Sequence, residues 1–142
     1  MRSLEWNRFF MTDYTHTNLG ELEDMAVKGG FSEFQEARFA TQDLELESLG
    51  VSYQIVKPDK HHAFGHRHQK AEEVYVVLSG SGKVHLDDEV VAVERLDAIR
   101  VGAEVTRGFE AGSDGLELIV FSQKAPADAE IVADFFEEPA TR

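Results

Sequence analysis

His66-Arg67-His68-Gln69-Lys70-Ala71-Glu72-Glu73-Val74-Tyr75-Val76-Val77-Leu78-Ser79-Gly80 sets two histidines two residues apart and a glutamate five residues after the second. On a β-strand the two histidines share one face, because successive side chains alternate. The four intervening residues are enough for a hairpin turn, and Glu73 then opens a second run of strand formers ending at Leu78. Two imidazoles and one carboxylate converge across such a hairpin, and that is the donor set of a two-His-one-carboxylate divalent metal site. Glu72 falls on the opposite face by the same alternation, so Glu73 is the candidate ligand. Ordinary hydrogen-bonded strand histidines are the plainer reading of a His pair. The acid at matching spacing and the glycine closing the run weigh against it.

Outward from this segment, short strands alternate with turn punctuation. Strands are expected at Val51–Val56, Phe64–His68, Glu73–Leu78, Lys83–Leu86, Glu89–Val93, Ala98–Val101, Glu104–Glu110 and Leu116–Ser122. Ser79-Gly80-Ser81-Gly82 reads as a turn, and Gly112-Ser113-Asp114-Gly115 as a hairpin connection. The first is too short for a phosphate loop and is followed by a strand rather than a helix. About eight short strands imply an all-β sandwich or small barrel. Before them, Leu19–Val27 reads as a short helix behind an Asn18 cap, ended by Gly29-Gly30. After them, Ala127–Glu138 has a helical rhythm, with Ile131, Val132, Phe135 and Phe136 on one side.

With 142 residues, 42% hydrophobic and 29% charged, the chain is expected to form one domain with a proper core. It divides into a barrel at about 50–122, an N-terminal extension at 1–49 and a tail at 123–142. Met11 reads as a second natural start, which makes residues 1–10 an optional extension. With no cysteine, any metal must be held by histidines and carboxylates, and a cytoplasmic setting is expected. The formal charge of −13 argues against nucleic acid and against anionic membrane as partners. No apolar run is long enough to span a bilayer. A leading strand near residues 12–18 and the apolar residues at both ends suit a homodimer.

The stretch His66–Gly80 resembles the first motif of the cupin superfamily: two histidines at HxH spacing, an acid, and a glycine closing the strand. The motif's leading glycine falls on Lys60 and is missing. Leu96-Asp97-Ala98-Ile99-Arg100-Val101 resembles the Gly-Asp entry to the second cupin motif, with Leu96 in place of glycine. The second-motif histidine, ordinarily a fourth metal ligand, falls on Arg107. The resemblance implies a double-stranded β-helix, the jelly-roll barrel, in a family whose members range from dioxygenases, isomerases and decarboxylases to pure binding domains.

His66, His68 and Glu73 are thus the candidate ligands for Fe, Mn, Ni or Zn, and Arg107 and Tyr75 the candidate catalytic residues. A guanidinium stays protonated and donates no lone pair. Arg107 therefore either stands behind a three-ligand centre and grips an anionic substrate group, or pairs with Glu73 in place of the ion. The first makes the chain a metal-dependent enzyme acting on a small polar or anionic molecule. The second makes it a metal-free binding or regulatory barrel. Tyr75 and Val77 share Glu73's face and are expected to line the cavity. Tyr53, Phe64, Phe109 and Phe121 read as core. His62 shares the face of His66 by register but reads better as a rim histidine, while Arg38 is a weaker candidate at the pocket mouth.

Overall fold

The computed structural model describes residues 12–137, so the expected extension at 1–10 lies outside the described residues. Eight strands form one antiparallel sheet that curls on itself: β1 (Gln35–Phe39), β2 (Leu49–Val56), β3 (Gly65–His68), β4 (Glu73–Leu86), β5 (Glu89–Glu94), β6 (Ala98–Val101), β7 (Arg107–Gln123) and β8 (Ala129–Val132). The result is the expected all-β jelly-roll barrel.

Its frame is the pairing of the two long strands. β4 and β7 run side by side from Glu73 opposite Ser122 to Leu86 opposite Arg107. The free edge of β4 takes β6 and then β5; the free edge of β7 takes β2 and then β3. Alternation on these strands builds the core, from Tyr75, Val77 and Val84 on β4 and Phe109, Leu116, Leu118 and Val120 on β7.

Two expected turns are absent, and the reason is physical. Ser79–Gly82 and Gly112–Gly115 carry turn residues, yet each lies inside a continuous strand. They face one another, so the paired strands bend together where their register slips at Val77/Ser79 and Gly80/Gly82. Gly80 has φ +81°, and a Cβ there would lie 1.9 Å from the Gly115 carbonyl oxygen. The glycine lets two backbones cross where any side chain would push them apart.

The ends of the chain also differ from expectation. Residues 12–18 form no strand, which removes one element on which the dimer expectation leaned. The expected helix at 19–27 is a 3₁₀ turn, Leu19–Glu21, followed by α1 (Met25–Gly29). The Asn18 side chain caps the turn, whereas Asp24 caps α1 and Gly30 closes it in the left-handed region. β1 was not anticipated. At the other end, the helix expected at Ala127–Glu138 is absent from its described part, residues 127–137: Ala129–Val132 forms β8 and pairs with β3 from Gly65 opposite Val132 to His68 opposite Ala129. A short isolated helix is marginal in water. Pairing with β3 satisfies the backbone of the tail and covers an open strand edge.

Among the described residues no helix is long and apolar enough to cross a membrane.

Candidate metal centre

β3 delivers His66 and His68 on one face, and the connection to β4 brings Glu73 against them. His66 Nε2 lies 3.1 Å from Glu73 Oε1, and His68 Nε2 lies 3.4 Å from Glu73 Oε2. One donor atom from each residue falls within 4.8 Å of the others. Both ring nitrogens of His68 are buried without a hydrogen-bond partner, a costly state that an ion on Nε2 would relieve. These residues fit a divalent ion. Glu72, by contrast, stands outside and pairs with Arg100 at the surface.

Three groups hold the donors in place. Asp128, just ahead of β8, accepts hydrogen bonds from the Lys70 and Ala71 amides, and its Oδ2 lies 3.3 Å from His68 Nδ1. A carboxylate behind a ligating imidazole fixes the tautomer and aims the ring. Those amide bonds, from Ala71 above all, hold the Asp128 carboxyl below its ordinary range. The Tyr75 hydroxyl donates to Glu73 Oε1 at 2.7 Å. Burial alone would raise the Glu73 carboxyl. Hydrogen bonds from His66 and Tyr75, with the His68 ring close by, outweigh it and hold the group ionised, well below the usual carboxylate range. Burial and the neighbouring Glu73 charge push the Tyr75 phenol well up, so it stays a donor.

Arg107 stands directly opposite His66 across the β3–β7 pair and is fully buried. Its guanidinium donates to the carbonyls of Val105 (2.8 Å), Ala103 (3.2 Å), Gly102 (3.2 Å) and His66 (3.4 Å). Its Nε lies 3.6 Å from Glu73 Oε1. In place of the substrate grip expected of Arg107, the structure shows its Nη1 and Nη2 on backbone carbonyls and its Nε near Glu73 without a hydrogen-bond partner, and Arg107 is not among the residues that line the cavity. The expectation for Tyr75 changes similarly. It belongs to the core, touching the site through its hydroxyl rather than lining the cavity.

Above the three donors lies a cavity of about 330 Å³. Met25 and Ala26 of α1, Phe31, Phe64, Ala37 and Phe39 of β1 and Ala129 and Ile131 of β8 make most of its wall. Gln35, Ser52, Gln54 and His62 supply the polar part, and among the described residues no lysine or arginine contributes. Arg38 turns away to Glu36 and the Leu22 carbonyl. Of the other expected core aromatics, Phe109 is fully buried and Phe121 is exposed. Tyr53 bonds Glu117 on the other face of β2.

A family model for the cupin domain matches residues 52–122, half of the 142-residue chain. The chain is a cupin. The polyketide cyclase RemF from Streptomyces resistomycificus is similar in structure, with a TM-score of 0.71 at 17% identity over 89% of this cupin and 95% of that chain. A variant of Streptomyces PAC13 with uridine gives 0.66 at 21% identity, over 86% and 92%. A cupin protein from Bacteroides fragilis gives 0.65 at 22%, over 82% and 89%. At such identities the likeness is one of fold. No curated protein matches this cupin.

His62 departs from its expected place on the rim. It is buried in the cavity wall of this cupin, where its Nδ1 accepts from the Phe109 amide at 2.9 Å and its Nε2 meets Gln54 Oε1 at 3.1 Å. Burial, with smaller contributions from His66 and His61, lowers its pKa from 6.5 to about 3. Between those values the unfolded chain binds a proton that the folded chain refuses, so stability present above pH 6.5 drains away as pH falls toward 3. From pH 6.5 to pH 5 this one residue should cost about 2 kcal/mol. Urea unfolding across that range tests it: the fall should shrink by that amount in His62→Asn, whose side-chain oxygen can still accept the Phe109 amide. An unchanged slope would refute it.

Asp128 is the position sequence reasoning missed, and His62 is one it named but set at the rim. Asp128 carried no signal, since its neighbourhood read as helix. His62 carried one in its register with His66.

Proposed function

We propose that this cupin holds one divalent ion on His66, His68 and Glu73 and acts on a small, uncharged, largely apolar molecule in the cavity above it. The observation that carries this reading is the convergence of three ionisable donors at the base of a mostly apolar cavity to whose wall no lysine or arginine among the described residues contributes. The net charge of −13 further disfavours the anionic ligands considered from the sequence. Uridine, found with the Streptomyces relative, is a small uncharged molecule, and the similarity to a polyketide cyclase points the same way. When bound, the ion supplies a Lewis acid with open coordination positions. The chain's own residues do the rest. Asp128 aims His68, Tyr75 and Arg107 act as positioning residues on Glu73, and the apolar wall excludes water from the bound molecule.

Metal analysis of protein purified without a metal-affinity tag tests the reading. About one Fe, Mn, Ni or Zn per chain is the expected result. Protein that stays metal-free after refolding with excess of each ion would sink it. One observation favours a second reading, a metal-free binding barrel: His66 and Glu73 already contact each other, with Arg107 beside the carboxylate. The same measurement separates the two.

A further inference from the structure

The polar part of the cavity wall has a direction. A backbone amide can only donate, so the bond from the Phe109 N–H makes His62 Nδ1 an acceptor. The neutral ring then carries its proton on Nε2 and donates it to Gln54 Oε1. That contact orients the Gln54 amide and leaves its NH₂ to donate to Ser52 Oγ at 3.2 Å. Ser52 and Gln54 sit two apart on β2 and so share the cavity face. Having accepted from Gln54, the Ser52 hydroxyl has its one hydrogen left, and no acceptor among the described residues takes it. Gln35 on the adjacent strand reaches the same condition independently. Its Oε1 accepts from the Ala63 amide at 2.8 Å, so its NH₂ is what remains to offer.

We infer that Phe109 N–H, His62, Gln54 and Ser52 form a one-way hydrogen-bond relay that presents the serine hydrogen to the cavity and selects an apolar molecule bearing a carbonyl oxygen. This rests on the reading of the cavity as a small-molecule site and adds to it the polarity of the group recognised. A ligand carbonyl satisfies the Ser52 donor, while Gln35, opposite Val56, lies four residues farther along the sheet. A purely apolar ligand leaves the serine hydrogen buried and unpaired, and that asymmetry is where discrimination comes from. Ser52 touches the ligand, whereas His62 and Gln54 are positioning residues that set which way the serine points.

Two probes of nearly one shape test this. 1-Tetralone carries a carbonyl on the bicyclic body of tetralin, which has no acceptor. Calorimetry with the full chain should show 1-tetralone binding about tenfold tighter, against the order of their hydrophobicities. Ser52→Ala should bring the ratio of dissociation constants near one. Gln54→Glu should do the same by another route, because a carboxylate accepts from both His62 and Ser52 and turns the serine hydrogen away from the cavity. That variant also keeps the test alive if Ser52→Ala does not fold, and a merely structural defect would weaken both probes alike. Equal binding of the two probes to the wild type overturns the relay while leaving the cavity reading intact. A tenfold ratio that survives in either variant overturns it as well. Binding of neither probe overturns both readings.

Discussion

Replacing Arg107 with methionine is expected to lower the melting temperature by roughly 10–20 °C, corresponding to a loss of about 3–5 kcal/mol. The side chain is fully buried, and methionine fills much of its volume, so the loss comes from polar groups rather than from a cavity. Four carbonyls, from Gly102, Ala103, Val105 and His66, lose a charged donor in a place water does not reach. Glu73 at the same time loses the cation beside it. Arg107→Lys should recover part of the loss, since Nη1 alone meets three of the four carbonyls and an ammonium has three hydrogens to give, while the Gly102 bond and the approach of Nε to Glu73 are lost. Differential scanning calorimetry gives the answer. A variant of wild-type stability that had lost only ligand binding would return Arg107 to the substrate-gripping role read from the sequence.

His68→Ala is expected to weaken divalent-metal binding by more than about 100-fold, because losing a ligand must exceed the 10–100-fold typical of losing a partner behind one. Asp128→Asn removes such a partner and should fall inside that range, approximately 10–100-fold. Glu72→Gln serves as the control, since its acid pairs with Arg100 outside the site. Competition titration with a chromophoric zinc chelator ranks the three. Equal affinity in the wild type and His68→Ala would remove His68 from the donor set and with it the centre as drawn.

How much could be read without the structure depended on whether the signal was local. Period-two alternation alone separates Glu73 from Glu72 and puts both histidines on one face, so the donor set was legible. The glycines at 80 and 115 were legible as breaks but not as to kind. A glycine that turns a chain and one that lets two paired strands bend together look alike until the partner strand is known. Arg107 was visible as a departure from the cupin pattern, yet its role depended on carbonyls contributed by residues 102–105 and by His66 across the sheet. β8 and Asp128 were hidden because a short apolar tail fits a helix or a strand equally well. The open edge of β3 decided between them.

The position of Asp128 also orders events in time. All three donors exist once the chain has been made as far as Glu73, but the carboxylate behind His68 arrives only with residue 128, and the strand that closes that side of the cavity follows it. A growing chain therefore carries all three candidate donors across 55 residues of synthesis without the carboxylate behind one of them. On the proposed function, tight capture of an ion would wait on the docking of the tail, so loading would report that the barrel has closed rather than that its ligands have been made.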